Sequence, residues 1–121
     1  MLAGWQKNSQ LIAEFHVVDP MPNMPENAHA NTYFYNSLSE FSDGFVPELV
    51  VLAVKPQMMA AVLEEARFLV GMDTSWLSIA AGLSTQKLSV MLDGEAKILR
   101  AMPNTPAAIG MGITALFSGH Q

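Results

Sequence analysis

The chain has 121 residues, half of them hydrophobic and 14% charged, which suits one globular domain with a modest core and not a disordered tail. A formal net charge of −5 with no basic run argues against nucleic acid and anionic membrane surfaces as partners. With no cysteine, a disulfide framework, a thiolate nucleophile and a cysteine-ligated zinc site are all excluded.

Residues 1–10, MLAGWQKNSQ, lack the basic-then-apolar order of a secretory signal, and no run is long and apolar enough to span a membrane. A cytoplasmic setting is expected. Residues 15–18, FHVV, read as a short strand stopped by Asp19 and Pro20, and the Pro-, Asn- and Met-rich residues 21–30 as a loop. TYFY at 32–35 predicts a second strand, followed by a polar, glycine-containing stretch that ends near Pro47. LVVLAV at 49–54 is continuously apolar and mostly β-branched or leucine, the pattern of a central strand covered on both faces.

Pro56 suits the first turn of a helix, where its missing N–H costs nothing. Met59, Val62, Leu63, Ala66 and Val70 then follow helical spacing, with Glu64, Glu65 and Arg67 off that stripe. WLSIAAG at 76–82 is a strand running into a glycine. Ser84 is a candidate N-cap for a helix over 85–92, whose apolar residues Leu88, Met91 and Leu92 share one face. AKILRA at 96–101 is the last clear strand, and GITALF at 112–117 is a candidate for one more. Trp5 and Trp76 are expected to cover the sheet faces.

Strands alternating with helices predict a doubly wound α/β fold with a mostly parallel sheet. Ligands of such sheets bind outside the carboxyl ends of the strands. Those ends are Asp19-Pro20, Asn36, Val54-Lys55-Pro56, Ala81-Gly82 and residues 102–106, all punctuated by polar residues, Gly or Pro.

Asp19 is placed to accept from an adenosine ribose 2′-OH, although a strand-terminating turn aspartate before proline gives the same pattern. Lys55, held extended by Pro56, could meet a ribose or phosphate or could be a solvated loop lysine. Ala80, Ala81 and Gly82 leave room for a flat ring, or equally for tight helix–sheet packing. Met102-Pro103-Asn104-Thr105-Pro106 is harder to explain as a plain connection. Two prolines stiffen the backbone around one amide and one hydroxyl at a strand end. His16, His29 and His120 share no metal-ligand spacing, so no metal is expected.

VVLAVKPQMM, SIAAGLS and ILRAMPNTPAAIGMGITAL, in this order and at these separations, resemble the pyrroline-5-carboxylate reductase family. The resemblance covers residues 49–118 strongly and 1–48 more loosely, through Asp19 and Asn36. It implies a Rossmann-like domain and NADPH- or NADH-dependent reduction of a cyclic imine to L-proline. Other imine or β-hydroxyacid reductases on the same fold are the nearest confusable families.

The resemblance also implies residue roles. Ala53, Val54, Lys55 and Pro56 would line the ribose and nicotinamide side of the cofactor, and Asn36 its adenine-ribose end. Ile79 and Ala81 would touch the nicotinamide half. Met102, Asn104 and Thr105 would form the floor beside the ring and the imine, with Asn104 and Thr105 positioning both. Asp19 stands where many NADPH users carry Ser or Arg, and its charge would repel a 2′-phosphate, so a lean toward NADH is expected. The family's opening strand with its glycine-rich turn, and its helical domain for dimerisation and substrate binding, have no counterpart here. The chain is therefore read as a fragment, a partial cofactor domain over residues 1–121 that alone is expected to be inactive. The alternative reading is a non-catalytic nucleotide-binding remnant or interaction module. Loss of a central first strand would separate the Asp19 strand from the Val50 strand.

Overall fold

The computed structural model describes residues 14–21, 30–71 and 73–119. The chain divides into two compact units, Met1–Asp43 and Gly44–Gln121. The predictions for Trp5, His29 and His120, and for most of the 21–30 loop, fall outside the described residues.

In the first unit, β1 (Phe15–Val18) and β2 (Thr32–Tyr35) pair in parallel, with Phe15 opposite Thr32 and Val18 opposite Tyr35. Both strands have the predicted bounds, because each is a run of β-branched and aromatic residues cut off by turn formers. His16 stacks on Tyr33 and Tyr35, with ring centroids 5.1 and 5.7 Å away, and its Nδ1 lies 3.0 Å from the Tyr35 hydroxyl. After β2 a capping box closes a short 3₁₀ turn, Leu38–Glu40: Glu40 Oε1 accepts from the Asn36 and Ser37 amides at 2.8 and 3.1 Å.

The second unit holds a four-stranded sheet in the order β3-β4-β5-β6: Leu49–Leu52, Ser75–Ser78, Lys97–Pro103 and Thr114–Ser118. The first three strands are parallel and β6 is antiparallel to β5. Helix α1 (Met59–Glu65), entered through a 3₁₀ turn at Pro56–Met58, connects β3 to β4, and α2 (Thr85–Met91) connects β4 to β5. The predicted Ser84 cap forms, its hydroxyl accepting from the Lys87 amide at 3.1 Å. The doubly wound expectation is met as a mixed α/β fold in which parallel pairing dominates.

The buried residues of this unit include Met59, Leu63, Ala66 and Leu69 in and after α1, Leu88 and Leu92 in and after α2, and Leu52, Trp76, Ser78 and Ile98 on the strands. Thr74 is buried with its hydroxyl donating to the Pro47 carbonyl at 2.7 Å, which ties the start of β4 to the entry of β3. By contrast Ile109, Met111, Ile113, Leu116 and Phe117, in β6 and the loop before it, are all exposed.

All four strands of this sheet depart from the expected bounds. β4 is Ser75–Ser78 where 76–82 was expected, because the chain leaves the ladder after Ile79 to turn at Gly82, and β6 is Thr114–Ser118 where 112–117 was expected. Among the described residues β3 is an edge strand, not the central one expected. β3 ends at Leu52 and not Val54, because the chain must turn into the helix that Pro56 starts. β5 runs on to Pro103, past the last β4 pair at Arg100, because β6 supplies a partner there and proline needs no donor opposite Thr114.

Candidate functional site

Parallel pairing puts the carboxyl ends of β3, β4 and β5 side by side: residues 53–56 and 79–82 follow β3 and β4, while Met102 and Pro103 are the last residues of β5 and Asn104 and Thr105 follow it. Lys55 is extended (φ −63°, ψ 144°), as the following proline requires, and exposed, with no ion pair among the described residues. Its carbonyl accepts from the Met58 amide at 2.9 Å and starts the helix. Ala53 and Pro56 are exposed and Val54 is half-buried.

At the β4 end, the Ile79 amide makes a last ladder bond to the Leu52 carbonyl at 3.2 Å. Ala80 is buried: its amide donates to Ser78 Oγ at 3.3 Å, and its carbonyl accepts from Arg100 Nη2 at 3.3 Å. Ala81 and Gly82 are exposed, and Gly82 (φ +75°) has open space where a side chain would stand.

At the β5 end, Met102, Asn104 and Thr105 are exposed, and Thr105 begins a 3₁₀ helix, Thr105–Ile109. Asn104 closes the loop to β6 twice. Its amide N–H donates to the Ile113 carbonyl at 3.2 Å, and its side-chain Oδ1 accepts from the Ile113 N–H at 2.9 Å. The stiff turn thus holds its own asparagine oxygen in the backbone of the loop. Gly112 crosses directly above Ala107, where a Cβ would sit 2.5–2.6 Å from that residue's backbone.

Asp19 and Asn36 follow β1 and β2 and therefore belong to the first unit. Asp19 Oδ1 accepts from the Met21 amide at 2.9 Å, the Asx turn of a strand terminator. Asn36 is exposed. Among residues 53–56, 79–82 and 102–106, Lys55 is the one charged residue, so this edge offers positioning and one cation, with no paired acid and base or nucleophile and base. Arg100 and Ser78 were not expected there. The signal for Arg100 was a single charge inside an otherwise apolar strand, ILRAM. A concave surface lined by Gly71, Asp73, Thr74, Trp76, Glu95 and Lys97 lies at the opposite, amino end of β4 and β5.

No protein-family model matches the chain. A pyrroline-5-carboxylate reductase of Haemophilus influenzae is 40% identical over 98 residues, which cover 80% of this chain and 36% of that relative. One from Escherichia coli is 39% identical over 117 residues, 96% of this chain and 44% of its own length. Among solved structures, Plasmodium falciparum pyrroline carboxylate reductase with NADP bound matches with a TM-score of 0.63 at 28% identity, over 81% of this chain and 36% of that one. A pyrroline-5-carboxylate reductase from Coxiella burnetii matches with a TM-score of 0.58 at 36% identity, over 60% and 27%. The chain spans less than half the length of each of them. In sequence and in fold, the chain is a partial match to the pyrroline-5-carboxylate reductases.

Proposed function

We propose that this chain carries part of the nicotinamide-cofactor half of an enzyme that reduces 1-pyrroline-5-carboxylate to L-proline with NADPH or NADH. The identity to pyrroline-5-carboxylate reductases over nearly the whole chain carries this reading. A bound NAD(P)H supplies the hydride. The chain's own residues then bind and orient, which agrees with a strand edge that has no acid–base or nucleophile–base pair.

In this reading residues 1–121 are a partial Rossmann-like domain. Ala53, Val54, Lys55 and Pro56 take the ribose and nicotinamide side, Ile79 and Ala81 the nicotinamide half, and Met102, Asn104 and Thr105 the floor beside ring and imine. Asn36 takes the adenine-ribose end and Asp19 the ribose hydroxyls. The small, open turn at Ala81 and Gly82 and the exposed Lys55, with no ion pair among the described residues, support this assignment. The partner is a small imine, the assembly is a homo-oligomer formed outside this chain, and the setting is cytoplasmic. No helix among the described residues is long and apolar enough to cross a membrane.

The test is a chimera in which this chain replaces the matching part of the Escherichia coli relative. It is expected to oxidise NAD(P)H and form proline from the imine; a folded chimera that does neither contradicts the reading. The Asp19 charge further predicts a higher kcat/KM with NADH than with NADPH, and a clear NADPH preference refutes that part. Saturable NAD(P)H binding without turnover would instead favour a nucleotide-binding remnant.

A further inference from the structure

Arg100 sits in β5 between Ser78 of β4 and Phe117 of β6. Its Nη2 donates to the Ala80 carbonyl, while its Nε is buried with no hydrogen-bond partner among the described residues. It also takes part in no ion pair there. A half-buried guanidinium without a carboxylate, one N–H unsatisfied, is costly in a strand where leucine or methionine would fill the same place.

Its contacts are local to the strand ends. The Ala80 peptide groups are tied on both sides, the amide to Ser78 Oγ and the carbonyl to Arg100. The next two residues are the open Ala81 and Gly82, and Met102 follows Arg100 by two residues on its own strand. One side chain therefore links the turn after β4 to the strand that leads into the turn after β5.

We propose that Arg100, with Ser78 in support, is the positioning residue that sets the Ala80–Gly82 turn against the Met102–Thr105 turn, so that the two form one cofactor-receiving surface. This rests on the cofactor reading above. Neither residue touches the reacting atoms; they hold the backbone that does.

The experiment compares Arg100→Met, Arg100→Lys and Ser78→Ala in the same chimera, reading the NADPH dissociation constant by fluorescence, the KM for each substrate, kcat and Tm. Losing a hydrogen bond from a charged group should raise the NADPH dissociation constant and KM about tenfold in Arg100→Met, with kcat and the imine KM changed far less. Arg100→Lys should recover part of the loss, because an ammonium reaches one carbonyl without the planar fork. Ser78→Ala should move the same constants in the same direction by less. A lowered Tm with cofactor affinity unchanged in the folded protein overturns the proposal. Should Arg100→Met not fold, unchanged affinity in both other variants overturns it equally. An unmodified chimera that binds no NAD(P)H overturns the cofactor reading and this proposal together, which separates that failure from one of Arg100 alone.

Discussion

Asn104 has two ends, and they can be tested apart. Its oxygen is committed to the Ile113 N–H, while the residue as a whole is exposed, in the turn that we propose receives ring and imine. Asn104→Ala removes both ends and should cost about 0.5–1.5 kcal/mol of stability through the lost loop bond, together with a fall in kcat/KM. Asn104→Asp keeps an acceptor for Ile113, removes the donors and adds a negative charge. It should therefore fold nearly as the parent and still lose about tenfold in kcat/KM. Full activity in Asn104→Asp would leave the residue as a loop clamp and nothing more. At the far end of β5, Lys97 bonds Asp73, and this hydrogen bond and the nearby ammonium hold the Asp73 carboxyl below its ordinary value of 3.8. A depressed folded-state value stabilises above the unfolded value and is lost as pH falls through the folded one. Both groups are exposed, so the contribution is small. Lys97→Met should return the Asp73 titration to its ordinary position in an NMR pH series, and an unmoved titration would contradict the pairing.

The β5–β6 connection shows why its glycines are where they are. Gly110 caps the 3₁₀ helix in the left-handed region, at φ 76°, and Gly112 lets the backbone pass over Ala107. Gly112→Ala places a methyl against backbone atoms that cannot move aside, and should destabilise the unit by about 1–3 kcal/mol, read as a lower Tm. An unchanged Tm would mean that the crossing is looser than described. The local elements were the most legible in the sequence. FHVV and TYFY are bounded by turn formers, and Ser84 stands one residue before a helical stripe, so composition alone decides them. The run LVVLAV was legible as a strand but not in its length, because a ladder stops where its neighbours turn away, which no residue in the run reports. Asn104 and Ile113 lie nine residues apart with no periodicity between them, and their bond was invisible for that reason. Arg100 and Ser78 read as strand interior, and only the register beside Ala80 gives them a task.

At the scale of the molecule, β1-β2 is the sheet of the first unit and β3-β4-β5-β6 that of the second. Each unit orders its own strand ends, and the second presents three of them along one edge. The central claim is that this edge receives the nicotinamide cofactor, and Ala81 tests it most directly. The residue is exposed and small, beside open space at Gly82, so a large ring can be added there without disturbing the core. Titration of NADPH into the chimera and its Ala81→Trp variant, with Tm followed on both, is the decisive measurement. The account predicts an unchanged Tm and a dissociation constant raised at least about tenfold, the equivalent of about 1.4 kcal/mol. A folded Ala81→Trp chimera that binds NADPH as tightly as its parent would contradict it.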